Sequence, residues 1–509
     1  MSEKQNFCLE NIINDLNGFG RYQKFSLMLL CVPVIFSSYV TFAYFFTTGI
    51  PNYRCRISEC DNGTALEYIS ECVKSAIPFE NGYPTYCTRY GVTNNVLGSN
   101  NISFSIEKII RCENDLVFPD KHTTLVNDFQ IYCPNNQWKL TTVGTINAIG
   151  QSIGAPIMGF ISDRYGRKIA LVVLPTLTSI FGIIQSFSTS LEFYYITEFV
   201  FALVGSTTFS IAFILIVEIT GTSYKLFSIA VCCIAYAIGE IVVGITAWYF
   251  TTWQLFLRVL YMPGLVMIFY WWLIPESIEC KKTKPGILDQ GYYGSYQTAS
   301  YGSRVIGNVF TRKNAEVLNN DNKPDSIINI LMNRTIFWRL INCSIIMFLT
   351  LFLYTGLSIN SSSISDNKYL AFIFAASIEI PAYITCSIIL SYLGFKRTLT
   401  IASLAAGILC ISLYFIPEGI PKLIIFILGK FMITLTYQTC YVFVTELFPI
   451  TIRNLSLGIC FGVGNFGNMV SPQTLLLALI WHPLPMIVFG LCAILISFLS
   501  ILLPNKMHK

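Results

Sequence analysis

GFISDRYGRKIAL, from Gly159 to Leu171, is a short charged joint between two long apolar stretches, and the chain carries it twice. A decayed copy, ILSYLGFKRTL (Ile389 to Leu399), lies 228 positions further on, so that Gly166 falls on Gly394 and Lys168 on Lys396. At the same offset VEITGTSYKLFS (Val217 to Ser228) falls on TELFPITIRNLS (Thr445 to Ser456), which sets Glu218 on Glu446 and Lys225 on Arg453. One constant offset at two separate joints marks a duplicated chain. Parallel repeats of six-helix halves build membrane proteins whose two lobes rock about a central site.

Composition puts the chain in a bilayer. Of its 509 residues 54% are hydrophobic and 12% charged, against about 25% charged in a soluble domain. Twelve apolar stretches are long enough to span, at about 20 residues each. They run roughly over 25–48, 141–162, 168–187, 191–217, 226–248, 254–274, 337–357, 370–393, 397–416, 421–444, 455–479 and 484–503. The expected fold is an all-α membrane protein, with twelve transmembrane helices in two pseudo-repeated six-helix bundles. Its parts are an N-terminal segment 1–24, a first lobe 25–274 that includes a loop 51–138, a linker 275–336, a second lobe 337–503 and a tail 504–509. A net charge of +5 is too small to suggest a nucleic-acid partner.

The joints give the orientation. Lys4, Arg21, Lys24, Arg164, Arg167, Lys168, Lys396, Arg397, Arg453, Lys506 and Lys509 fall on one side, while the opposite joints are nearly free of Lys and Arg. Positive residues stay inside, so both termini are expected in the cytoplasm, with the first span kept as an anchor rather than cleaved. The loop 51–138 then lies outside. It carries Cys55, Cys60, Cys72, Cys87, Cys112 and Cys133, a disulfide framework whose connectivity sequence leaves open. It also holds two glycosylation sequons, at Asn62 and Asn101.

In SDRYGRK, Asp163 stands beside Arg164, Arg167 and Lys168, and Gly166 permits a tight turn. Asp163 can pair with cations and with the N-terminal end of a neighbouring helix, which makes a breakable latch between helices that part during a cycle. Topology marking by positive charge is the simpler alternative. In the second copy Ser391 and Tyr392 replace the Asp–Arg pair, so the lobes should be unequal. Glu218, Glu446 and Arg453 are grouped with these residues as conformational gating positions. Between the lobes, the Gly, Tyr and Ser tract GYYGSYQTASYGS reads as a flexible tether.

Ionisable groups at membrane depth cost about 2.5–3.5 kcal/mol each on insertion scales, which makes each one a candidate functional residue. Here they are Glu198, Glu240, Glu379 and Lys430. Lys430 begins a polar stripe at helical spacing with Thr434, Gln438 and Tyr441. Glu379 and Lys430 are expected to pair, either as structure or as part of a site. Glu240 faces the cavity or sits near the outer mouth, and Glu198 reads as an inter-helix contact. The sequence has three histidines, no phosphate-cradling loop and no metal-ligand cluster, so no enzyme chemistry, cofactor or metal is expected, and no obligatory protein partner.

Several segments resemble one family: the organic cation, organic anion and carnitine transporters (solute carrier family 22) of the major facilitator superfamily. They are GFGRYQKF, the six-cysteine loop, VNDFQIYCPNNQWK, SDRYGRK, WWLIPES, IEIPAY and TELFPITIRN. The resemblance implies a substrate cavity lined by Tyr354, Phe209, Tyr236, Tyr437 and Gln438, with Glu379 at an acidic position of cation and carnitine carriers. Departures accompany it: Ile278 breaks the usual Pro-Glu-Ser-Pro ending, Glu198 stands where Arg is usual, and Asn465 replaces the Asp of cation carriers or the Arg of anion and carnitine carriers. Three carboxylates against one Lys favour cations. The expectation is therefore a polyspecific plasma-membrane carrier of small organic cations or zwitterions, working by alternating access. The alternatives are an organic anion or carnitine carrier, or a non-transporting receptor-like relative.

Overall fold

The structure is a computed structural model. It describes residues 20–58, 60–61, 68, 70–80, 83–92, 104–112, 116–119, 122–220, 224–273, 334–361, 367–417, 419–448 and 450–504. The glycosylation candidates Asn62 and Asn101 and all but the end of the linker 275–336 lie outside these residues, as do the side chains of Asp163, Glu218 and Arg453.

Twelve helical columns follow one another among the described residues. Spans 1 to 3 are Arg21–Thr47, Gln137–Tyr165 and Arg167–Gln185. Span 4 is Leu191–Gly205 continued by Thr208–Thr220, and span 5 is Lys225–Tyr249. Span 6 starts as Trp253–Tyr261, tightens to a 3-10 helix over Met262–Phe269 where Pro263 removes a backbone donor, and ends as Tyr270–Leu273. Spans 7 to 10 are Arg334–Asn360, Lys368–Ser377 with Glu379–Leu393, Phe395–Ser412 and Ile420–Leu447. Span 11 is Ile450–Val470, extended by Ser471–Gln473 and Thr474–Ile480, and span 12 is Leu484–Ile501.

The repeat read in the sequence reappears in the packing. Span 1 lies along span 5, span 2 along span 4 and span 3 along span 6; in the second half span 7 lies along span 11, span 8 along span 10 and span 9 along span 12. The lobes meet through span 2 against span 11 and span 5 against span 8. The repeated joint also repeats its backbone: Gly166 between spans 2 and 3 has φ 107°, and Gly394 between spans 8 and 9 has φ 76°. That region is open to glycine at little steric cost, so each turn is pinned by its glycine.

Ten of the described helices are long and apolar enough to cross a membrane by length and composition. Spans 2 and 11 fall short, although they are helices of 29 and 21 residues. Both are rich in glycine and polar residues, such as Asn147 and Gln151 in span 2 and Asn465 and Asn468 in span 11, and between the lobes span 2 meets span 11 and its extension through hydrogen bonds. Thr141 Oγ1 donates to Gln473 Oε1 at 3.1 Å, Gln473 Nε2 donates to Thr145 Oγ1 at 2.9 Å, and Thr145 Oγ1 donates to the Met469 carbonyl at 3.1 Å. Side-chain hydrogen bonds of this kind are how polar residues join helices inside a bilayer.

The loop between spans 1 and 2 is a small stapled unit. Its disulfides are Cys55–Cys112, Cys60–Cys72 and Cys87–Cys133. Inside it Arg54, fully buried, grips Asp61 with two donors at 2.8 and 2.7 Å, while the Ile57 N–H reaches the same carboxylate at 2.7 Å. Burial alone would lift the Asp61 carboxyl; the hydrogen bonds and charge of Arg54, with the Ile57 N–H, hold it below the usual carboxylate range. A carboxyl lowered in the folded state stabilises above its unfolded pKa, and that contribution is lost as pH falls through the folded value. Asp61→Asn should therefore cost about 3 kcal/mol or more, since it strands a buried guanidinium. A thermal melt of the purified protein that is unchanged by Asp61→Asn would overturn this account. The loop docks on the joint between spans 5 and 6, where Asp128 accepts from Trp253 Nε1 at 2.8 Å and Gln254 Nε2 at 2.6 Å.

Candidate functional site

Where spans 5, 7, 8 and 10 converge, three of the four membrane-depth ionisable groups, Glu240, Glu379 and Lys430, form one cluster. Lys430 on span 10 lies 2.8 Å from Glu379 Oε1 on span 8, both side chains 0% exposed. The ammonium also donates to Ser358 Oγ at 2.7 Å and to the Tyr354 carbonyl at 3.2 Å. That ion pair is the contact of Glu379 Oε1. On the other side of the carboxylate, Oε2 receives the Tyr354 hydroxyl at 2.7 Å and the Tyr383 hydroxyl at 3.1 Å. The Tyr354 oxygen also lies 2.9 Å from Glu240 Oε1, on span 5. The cluster thus ties the lobes together at one phenol. It holds two buried carboxyls against one ammonium, compensated by the ion pair and by the hydroxyl hydrogen bonds, as buried charge requires.

Local sequence places these groups. Tyr383 follows Glu379 by one helical turn, and Ser358 follows Tyr354 in the same way. Span 8 has a one-residue irregularity at Ile378, which keeps helical dihedrals, with Pro381 just beyond it removing a backbone donor; Glu379 stands at that joint.

Among the residues expected to line a cavity, the structure joins Glu379, Lys430 and Tyr354 directly, and Tyr437 stacks on Tyr354 with ring centroids 4.8 Å apart. The Tyr354 ring also carries the Lys430 ammonium 3.8 Å from its centroid. The lysine thus occupies the ring face of Tyr354, and the Tyr354 hydroxyl does the joining. Tyr236 and Phe209 meet edge to face at 5.5 Å, with Phe42 against Tyr236 at 6.3 Å. Gln438 is buried, and its Oε1 has no hydrogen-bond partner. Asn465 stands apart from the carboxyls: its Oδ1 accepts from Asn468 at 3.4 Å, and Asn468 in turn accepts from Thr355 at 2.8 Å. Glu198 belongs to a separate network in the first lobe, accepting from Asn147 at 2.6 Å and from Gln185.

Aromatic contacts bracket the cluster. On the side of the disulfide-bonded loop, Phe46 stacks on Tyr369 at 5.6 Å and Phe45 on Phe372 at 5.6 Å, so span 1 is sealed to span 8. Toward the opposite side Phe213 of span 4 meets Tyr441 of span 10 at 5.1 Å, and Tyr441 meets Phe461 of span 11 at 5.0 Å. The residues expected to gate the cycle stand at the ends of spans 2, 4 and 10 and at the starts of spans 3 and 11. Arg164 is exposed with its guanidinium 5.9 Å from the Tyr165 ring, and Glu446 is exposed. Arg167 opens span 3, and Lys168 reaches the Trp271 ring of span 6 at 5.5 Å. In the second copy Lys396 donates to the Ile501 and Leu503 carbonyls that end span 12. Both lysines thus tie the start of the third helix of a lobe to the end of its sixth.

Residues 122–472 match the family described as Major Facilitator Superfamily. The chain belongs to that superfamily. The Organic cation transporter protein of Drosophila melanogaster is 27% identical over 98% of this chain and 92% of its own length. The Organic cation/carnitine transporter 2 of Homo sapiens is 25% identical over 96% and 90%. The inward-open xylose transporter XylE of E. coli superposes with a TM-score of 0.58 at 17% identity, over 76% of this chain and 91% of that one. The last comparison speaks to the fold of this facilitator-superfamily chain, and the two sequence relatives to its kin.

Proposed function

We propose that this chain carries small organic cations or zwitterions across the plasma membrane by alternating access, with both termini cytoplasmic and glycans on Asn62 and Asn101. The observation that supports the reading is the imbalance of the central cluster: Glu240 and Glu379 stand against a single Lys430, with both carboxyls and the ammonium buried. At an effective dielectric of 20, a unit charge about 4 Å away gains about 4 kcal/mol before desolvation is subtracted. A positive ligand benefits from the surplus carboxyl; a negative one meets it as repulsion. Lys430 is already held by Glu379, Ser358 and the Tyr354 carbonyl, which puts an organic anion carrier second. The relatives named for organic cations and for carnitine support the same substrate class.

The test is uptake by expressing cells from a mixed panel of quaternary ammonium ions, carnitine-like zwitterions and carboxylates, with and without sodium. Saturable uptake of positively charged compounds is expected. Uptake confined to carboxylates, or binding without flux, would overturn the reading.

We further propose that Asp163, Arg164, Gly166, Arg167, Glu218, Glu446 and Arg453 govern the cycle rather than affinity. Asp163→Asn should lower the maximal uptake rate several-fold and leave the half-saturation concentration nearly unchanged. A large change in half-saturation at an intact rate would count against the latch.

A further inference from the structure

What the central cluster has left to offer a ligand is hydrogen-bond acceptors. Lys430 has three oxygen neighbours for its three N–H groups: Glu379 Oε1 at 2.8 Å, Ser358 Oγ at 2.7 Å and the Tyr354 carbonyl at 3.2 Å. The Tyr383 hydroxyl is directed at Glu379 Oε2 at 3.1 Å. Glu240 meets the Tyr354 hydroxyl through Oε1 at 2.9 Å, which leaves its other oxygen for a ligand. Gln438 adds a second acceptor, being 2% exposed with an Oε1 that has no hydrogen-bond partner. It stands between Tyr437, stacked on Tyr354 of span 7, and Thr439, whose hydroxyl lies 3.4 Å from the Cys386 sulfur of span 8. Successive residues of a helix point about 100° apart, so Gln438 points between spans 7 and 8. It shares that stripe with Lys430 and with Tyr441, which meets Phe213 of the first lobe.

The aromatic faces, by contrast, are already engaged. The Tyr354 ring carries the Lys430 ammonium 3.8 Å from its centroid and the Tyr437 ring at 4.8 Å. Tyr236 packs against Phe209 and Phe42, and Phe209 stacks on Phe213. A quaternary ammonium ion has no N–H to donate, and proteins hold it by aromatic faces. A cation with N–H groups gains charge-assisted hydrogen bonds from a carboxylate. The resident cation is of the second kind: Lys430 is a primary ammonium set among oxygens.

We propose that this carrier selects its substrates by their N–H groups, taking protonated primary amines and guanidinium compounds in preference to quaternary ammonium ions. The proposal rests on the organic-cation reading above and narrows it. The N–H groups address the Glu240 carboxyl and the Gln438 amide oxygen, beside the pair of Glu379 and Lys430. A guanidinium presents its donors as a planar fork, so one cation can reach both acceptors.

The experiment measures uptake of two probes of matched shape by the purified full-length chain in liposomes. The probes are 4-phenylbutylguanidinium and trimethyl(4-phenylbutyl)ammonium, drawn in by an inside-negative potassium potential. Both stay charged at neutral pH, so neither leaks across as a neutral amine. A hydrogen bond to a charged acceptor is worth about 10- to 100-fold. The ratio of maximal rate to half-saturation concentration should favour the guanidinium by about that factor. Equal handling of the two probes, or a preference for the quaternary ion, would overturn the proposal and leave the organic-cation reading standing. If neither probe nor any cation of the mixed panel is carried, it is the organic-cation reading that fails.

Gln438→Leu removes the amide acceptor and should narrow the preference several-fold, while Gln438→Glu keeps an oxygen there, adds charge and should widen it. An unchanged preference in Gln438→Leu would overturn the assignment to Gln438. If the Leu variant does not fold, the wild-type ratio of the two probes decides on its own.

Discussion

Glu379→Gln is expected to reduce organic-cation uptake by at least about 100-fold, the largest loss from any single change in this chain. The substitution leaves the shape nearly untouched, yet it strands Lys430 in a site where the ammonium is fully buried. Removing one partner of a buried ion pair costs about 3–5 kcal/mol, and each 1.4 kcal/mol is about tenfold. Part of that loss could fall on folding, so surface delivery has to be measured beside uptake. Pairing it with Lys430→Met removes the stranded charge and should recover delivery without recovering uptake. If Glu379→Gln reaches the surface and carries every cation at the normal rate, the cluster is a structural tie and the substrate binds elsewhere. Asn465 offers the contrast. It sits two hydrogen bonds from the neighbour of Tyr354, so Asn465→Ala should cost far less than Glu379→Gln.

The second large effect is mechanical. Phe46 and Tyr369 stack across the lobes beside the disulfide-bonded loop, and alternating access requires that contact to open. With cysteines at both positions, joining them by a short dimaleimide should stop nearly all uptake, while either single cysteine treated in the same way should keep it. The nine free cysteines of the described residues are buried or partly buried, and the single-cysteine controls report any reaction at the remaining cysteines of the chain. Undiminished uptake by the crosslinked protein would mean that this seam does not part during transport.

Much of this site was legible before any coordinates. Glu379 and Lys430 stand out because charge at membrane depth has to be compensated, and the compensation is found in each other. The duplication was legible because Gly166 and Gly394 both need left-handed backbone. Other parts were not. Glu240 was visible as an ionisable residue, but its partner depends on span 5 packing against span 8, and hydropathy carries no record of which helices touch. Tyr383 and Ser358 escaped notice, although each lies one turn beyond a residue already singled out, and that spacing was the available signal. Asn465 was singled out by the family resemblance, and its bond to Asn468 three residues on was not foreseen. Disulfide pairing stayed open because it is set by the fold of the loop, where Cys60–Cys72 nests inside Cys55–Cys112 and Cys87–Cys133 crosses that longer bridge.

The polar seam between spans 2 and 11 also bears on how the protein is made. A helix leaves the insertion machinery for lipid according to its own apolarity, and these two are less apolar than the ten that qualify by composition. Each reaches its finished place beside a partner from its own half, span 4 for span 2 and span 7 for span 11. Biogenesis therefore has to hold span 2 until later helices of its lobe have been synthesised, and span 11 can lean on span 7, already in place. Single substitutions in the seam will then act twice, once on the moving interface and once on the yield of correctly threaded chains.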